Sequence, residues 1–139
     1  MDVLVLIGRI LFVALFLSSA FGHLTQTKAM AGYAASRGVR PAVPATVGSG
    51  VLLLVGGLSV LLGVWADLGA LLLAVFLVPT AVLMHGFWRE SDPQARQMEM
   101  VHFEKDLALA GACLMLFALI SYAGCDLGLT ITGPLFDID

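Results

Sequence analysis

The sequence has few ionisable side chains, and one of them, Arg9, lies inside an apolar segment near the N-terminus. An ionisable residue within a membrane is costly to keep there, so it is a functional candidate by default. Three interpretations of Arg9 are open. Its long stem could carry the guanidinium to the nearer interface, it could pair with Asp67 or Asp126, or it could contact the headgroup of a ligand.

A second group of polar residues stands where apolar segments end or begin. His23 follows the first segment, His85 and Trp88 follow the third, and Lys105 and Asp106 open the fourth. Because successive spanning helices alternate in direction, these ends share one side of the membrane. They can therefore converge at one mouth of a helical bundle. Together with the arginine, they are the candidate ligand-binding residues, and no catalytic residue is predicted.

Three interpretations of this convergence compete. The polar tips can be interfacial anchors that meet lipid headgroups, as is common at helix ends. They can form a hydrogen-bonded cluster of histidine and carboxylate that handles protons or binds a polar headgroup such as that of a quinone. His23 and His85 could also ligate a metal or haem. No His-x-x-His or Cys-x-x-Cys spacing supports ligation, so no metal is expected.

The composition indicates the elements that must position these residues. The chain of 139 residues is 60% hydrophobic and 12% charged. Soluble domains carry about twice that charge, and a soluble chain this short has too little interior for so many apolar side chains. The bilayer must therefore act as solvent. No basic tract is present, so nucleic-acid binding is not expected.

Four apolar runs are long enough to cross a membrane as helices. A single transmembrane domain is predicted over residues 1–139, with spans at about 3–21, 43–64, 68–87 and 105–122. The predicted fold is all-α, a bundle of four transmembrane helices. A short interfacial helix is expected between spans one and two, from Lys28 to Arg37, and residues 94–103 are expected to extend span four as a polar helix. Trp65-Ala66-Asp67 is predicted to join spans two and three.

Small residues recur at helical spacing in two of the spans. Gly56, Ser59 and Gly63 line one stripe of span two, while Gly111 falls with two alanines on span four. Such stripes let helix backbones approach closely in lipid, so both are predicted to serve in packing.

The distribution of cations predicts the orientation. The two longer loops share a side and hold every Lys and Arg of the sequence apart from Arg9. The positive-inside rule places these loops in the cytoplasm and both termini outside. The expected location is a bacterial inner membrane, with the outer end of the bundle nearly bare apart from Arg9.

Four stretches of the sequence resemble the DoxX family of small four-span membrane proteins. They are Gly8–His23, Gly56–Gly63, Ala81–Trp88 with its His-x-Phe-Trp end, and Phe103–Gly111. Two departures stand out. The family often has a glutamate in span two, where this chain has Leu52-Leu53-Leu54, and Lys105-Asp106 replaces the usual Lys-Asn. Arg9, His85, Trp88 and Lys105 match family positions, and His23 falls near a usually basic one.

The resemblance implies a redox context, since relatives include subunits of a thiosulfate:quinone oxidoreductase. The expected function is an accessory membrane subunit of a redox complex that anchors a protein partner and borders a quinone or headgroup pocket. At most it would be an auxiliary subunit of an enzyme, with no cofactor expected other than a quinone. The alternatives are a structural or assembly protein without a ligand, which could form a homo-oligomer, and a small transporter or channel.

Overall fold

A computed structural model describes residues 1–136 of the chain, and these are almost entirely helical. The helices are α1 (Asp2–Thr25), α2 (Thr27–Ser36), α3 (Ala42–Leu62), α4 (Ala66–Met84) and α5 (Pro93–Ala123). A short 3-10 turn follows α4 at Phe87–Arg89, and another follows α5 at Gly124–Asp126. The described part of the chain contains no strand. The last three residues of the predicted domain lie outside the described part.

Four of these helices are long and apolar enough to cross a membrane, namely α1, α3, α4 and α5. The predicted all-α bundle of four spanning helices is thereby confirmed. Helix α5 has 31 residues, so it is about 46 Å long at the α-helical rise and exceeds a bilayer core of about 30 Å. Its first turns continue span four outward as a polar helix. Asp92 caps this helix by accepting a hydrogen bond from the Ala95 N–H at 2.8 Å.

The spanning helices pack in the order α1, α3, α4, α5, and α2 lies across the ends of α1 and α3. Their shared core is apolar and includes Phe16, Leu53, Leu73, Leu77 and Cys113, all at most 3% exposed. Cys113 therefore serves as a small apolar residue, as is usual for a buried cysteine.

A tight connection of three residues, 63–65, joins α3 to α4 and lies two residues earlier than predicted. Helix α3 ends at Gly63, whose φ of 66° is left-handed, and Trp65 at φ 46° precedes the first residue of α4. Ala66 and Asp67 were predicted in the loop but lie within α4. Gly63 is required here because of its left-handed backbone and because a Cβ would lie 2.7 Å from the Thr130 Cα.

The end of the bundle that holds Arg9 is not bare, contrary to prediction. Residues 127–136 cross it and are tied to the helices by backbone and side-chain hydrogen bonds. The Ile131 and Thr132 N–H groups donate to the Gly63 carbonyl at 3.1 and 2.9 Å. The wholly buried Asp67 carboxylate accepts from the N–H groups of Leu135 and Phe136 at 3.0 and 2.6 Å.

Arg9 is 3% exposed and does not pair with an acid within the described residues. Its guanidinium donates to the carbonyls of Val60 at 2.8 Å and Leu129 at 2.9 Å, and also to that of Leu61. The last carbonyls of a helix have no partner within the helix, and a cation there also complements the helix dipole. Arg9 thus closes the end of α3 and joins it to the segment 127–136. Of the three interpretations left open for Arg9, the pairing with Asp67 or Asp126 is not observed.

Candidate ligand-binding cavity

A cavity of about 750 Å³ lies among α1, α3 and α4, with α2 across one end and two residues of α5 at its polar side. Its walls are mainly apolar and include Leu15, Phe16, Leu53, Phe76 and Leu77. Met30, Tyr33 and Ala34, which share one face of α2, line it as well.

The cavity is accessible from the side of the bundle. Leu15 and Val75 line it near the middle of α1 and α4, and they are 45% and 59% exposed. These positions lie within spanning helices, at a depth where the surrounding solvent is lipid. A membrane-dissolved molecule could therefore reach the cavity without leaving the bilayer.

The polar side of the cavity is built around His85, the residue that ends α4. Its Nδ1 lies 2.8 Å from Glu99 Oε2, and its Nε2 lies 3.7 Å from Asp106 Oδ2. Glu99 and Asp106 are seven residues apart on α5, which places them on one face of that helix, two turns apart. The imidazole thus stands between two carboxylates, and only Asp106 lines the cavity.

Behind Glu99 lies a second layer of charge that joins the short helix α2 to α5. Arg37 donates to Glu90 at 2.6 Å and to Glu99 at 2.8 Å, and Tyr33 donates to Glu99 at 3.2 Å. The hydrogen bond to Glu90 raises the pKa of Arg37, and a bond to Tyr33 adds to this effect. Arg37 therefore remains a cation, and it favours the ionised form of Glu99.

The structure brings four of the six predicted site residues to the cavity. His23, His85, Lys105 and Asp106 line it, although they do not form one hydrogen-bonded group. The His23 ring donates through Nδ1 to the Ser19 carbonyl at 2.8 Å, within its own helix. Lys105 Nζ lies 3.7 Å from Asp106 Oδ1 and 3.3 Å from His102 Nδ1.

The other two predicted residues lie elsewhere. Trp88 is half exposed and packs edge-on against Phe87 and Phe103, with ring centroids 5.3 and 5.7 Å apart. This aromatic group covers the turn after α4 rather than the cavity. Arg9 lies at the opposite end of the bundle, where it donates hydrogen bonds to the last carbonyls of α3. Neither residue lines the cavity that the other four share.

Glu99 is the functional candidate that was missing from the sequence-based set. It was placed in a solvated helix extension, where an acidic residue needs no further explanation. A signal was present, however, because Glu99, His102 and Asp106 follow the i, i+3, i+7 spacing of one helical face. That spacing predicts a polar stripe along α5, and His85 packs on it with its ring centroid 5.0 Å from that of His102.

We expect Glu99→Gln to lower the free energy of unfolding by about 1–3 kcal/mol, and more than Glu90→Gln, because a neutral amide replaces the carboxylate that contacts Arg37, Tyr33 and His85 together. Chemical denaturation in detergent micelles measures this change. Glu90→Gln is the matched control, since it removes one contact of Arg37 but none of His85. Equal stability of Glu99→Gln and the wild type would show that the network contributes nothing to the fold.

The sequence model of the DoxX family matches residues 4–86, which cover α1 to α4 and end at Gly86. The matched part includes Arg9, His23 and His85 but not α5, so the resemblance of Phe103–Gly111 to the family is outside it. No curated protein and no solved structure matches the chain.

Proposed function

The chain belongs to the DoxX family of membrane proteins, and we propose that it is an accessory membrane subunit of a redox complex that binds a quinone-class lipid. The cavity is the observation that carries this proposal. The redox context is the one that the family resemblance implies, and electrons would be exchanged by the protein partner rather than by this chain.

The shape and lining of the cavity suit an amphipathic ligand. Apolar walls extend from mid-membrane, at Leu15 and Val75, to a polar side at His85 and Asp106. Ligand sites of several hundred Å³ with apolar walls and a few convergent polar groups are typical of small-molecule recognition. A quinone combines a ring that bears two oxygens with an isoprenoid tail. Its ring would lie against the polar side, and its tail would follow the apolar wall towards the lipid.

The same arrangement gives the proposed orientation. The cations Lys28, Arg37, Arg40, Arg89 and Arg96 lie in the segments that join spans at the end of the bundle that holds His85. By the positive-inside rule that end faces the cytoplasm, and both termini lie outside a bacterial inner membrane. The redox partner would then dock at the cytoplasmic end, where Arg37 and the first turns of α5 stand beyond the bilayer core.

The test is to fill the cavity. Ala45 lines it from α3, and Ala45→Phe would place a ring in the space that the ligand requires. The wild type, purified gently from native membrane, should carry a quinone in its lipid extract and retain a protein partner. Ala45→Phe should reduce bound quinone by at least about tenfold, since an overpacked site excludes its ligand.

Val47→Phe is the matched control, because Val47 is 39% exposed on the same helix and does not line the cavity. It should retain the quinone of the wild type. A wild-type extract with no quinone and no partner would contradict the proposal and favour the structural alternative. Quinone recovered equally from all three proteins would show that it is bulk membrane lipid.

A further inference from the structure

A second concave surface, the α2–α3 groove, lies on a different face of α2 from the one that lines the cavity. It has a volume of about 460 Å³, and its lining includes Lys28 and the apolar residues Ala31, Gly32, Ala35, Ala42 and Val43. Val43 is 55% exposed, and a Cβ at Gly32 would meet no atom within 4 Å. The groove is therefore open to the surroundings of the bundle.

The depth of the groove is set by the start of α3. This helix begins at Ala42 and has 21 residues, so its length of about 31 Å matches the hydrocarbon core of a bilayer. Ala42 and Val43 therefore stand where acyl chains meet headgroups. A phospholipid is the molecule that presents both an apolar chain and a phosphate at this depth.

Two exposed cations stand at this groove. Lys28 lines it, and Arg40 precedes the lining residue Ala42 by two positions. Neither cation takes part in an ion pair within residues 1–136, whereas Arg37 is paired with two glutamates. The sequence from residue 3 to residue 66 contains no Asp or Glu, so α2 and α3 supply no acid to this surface. Its charge is complementary to that of an anionic headgroup.

We propose that the α2–α3 groove binds an anionic phospholipid of the phosphatidylglycerol class, separately from the cavity and independently of the proposed function. Lys28 and Arg40 bind the phosphate, and an acyl chain lies over Ala31, Gly32 and Val43. Guanidinium and ammonium groups both bind phosphate oxygens, and basic pockets beside spanning helices are typical sites of anionic headgroups. A zwitterionic headgroup carries its own cation towards Lys28 and Arg40, so it binds less tightly.

The test titrates phosphatidylglycerol and phosphatidylcholine with identical acyl chains, each against the purified full chain, and counts bound lipid by native mass spectrometry. We expect phosphatidylglycerol to bind at least about tenfold more tightly, because two cations near an anionic headgroup contribute about fivefold each. Equal affinities of the two lipids would overturn the inference. Neither probe is a quinone, so this result is independent of the proposed function.

A pair of double variants locates the headgroup. Lys28→Gln combined with Arg40→Gln should reduce the preference for phosphatidylglycerol to below about threefold, because the lost cations are those that bind the phosphate. Arg89→Gln combined with Arg96→Gln is the matched control, since it removes the same charge from exposed positions after α4 and on α5. It should retain the preference. Equal losses in the two double variants would assign the attraction to the whole basic end of the bundle and overturn the inference.

Gly32→Leu tests the position of the acyl chain, because it places a side chain in the groove and leucine favours a helix over glycine. It should weaken the binding of phosphatidylglycerol at least about tenfold. Gly48→Leu is its control, since Gly48 also has open space beside it but does not line the groove. This control should bind as the wild type does. A wild-type dimer that Gly32→Leu abolishes, with lipid binding retained, would assign the groove to a second copy of the chain and overturn the inference.

Discussion

Replacing Arg9 by methionine should lower the free energy of unfolding by about 3–5 kcal/mol, because it leaves buried carbonyls without a donor. Arg9 donates to Val60, Leu61 and Leu129, and in a bilayer no water can replace it at the end of α3. Unfolding by SDS in bicelles measures the change. The free energy of unfolding of Arg9→Lys should lie between those of the wild type and Arg9→Met, since an ammonium group cannot reproduce the planar fork of donors.

The matched control is Arg40→Met, which removes an exposed arginine from the connection between α2 and α3. It should change the free energy of unfolding by less than about 0.5 kcal/mol. If Arg9→Met were as stable as Arg40→Met, Arg9 would not hold the end of α3. The functional interpretation of this residue, as a ligand contact, would then have to be reconsidered.

Adding a single methyl group at Gly69 should also destabilise the bundle, by about 1–3 kcal/mol, because α3 and α4 touch at their backbones there. A Cβ on Gly69 would lie 2.6 Å from the Ser59 Cβ and 2.9 Å from the Gly56 carbonyl oxygen. The helices must move apart to admit it, which also loosens Leu73 against Gly56. Gly69→Ala unfolded in the same SDS titration tests this contact.

Gly111→Ala is the control for Gly69→Ala, since it adds the same group to the middle of a spanning helix. A Cβ at Gly111 meets no atom within 4 Å and alanine favours a helix, so this variant should be at least as stable as the wild type. The result would contradict the predicted packing role of Gly111 within the chain. Equal losses in the two variants would mean that the close approach of α3 and α4 at Gly69 does not determine the loss, because helix propensity favours alanine at both positions.

Much of the fold follows from patterns that act over short distances. Apolar runs of spanning length predict the four long helices, and Asp92-Pro93 marks the start of α5. Contacts between distant parts of the chain leave no such pattern. The segment 127–136 has no strong periodicity, and its position depends on Arg9 and on Asp67, which are more than sixty residues away from their partners there. The bare outer end was predicted because neither contact can be read locally.

The candidate site was predictable to a similar degree. Alternating helix direction correctly brought His85, Lys105 and Asp106 to the same end of the bundle. It could not show that Trp88 lies away from the cavity. A half-exposed indole at a helix end has the same sequence signature whether it lines a cavity or covers a turn. It also gave no reason to select Glu99 from among solvated acids. The partner of Glu99, Arg37, lies in a different loop, and only the packing of α2 on the bundle brings the two together.

The most direct test of the account is a density map of the protein extracted from native membrane without delipidation. We expect elongated density within the cavity, with its compact ring end against His85 and Asp106 and its tail leaving past Leu15 and Val75. An empty cavity, or one closed by movement of α1 against α4, would contradict the central claim that this space holds a lipid ligand by its polar group.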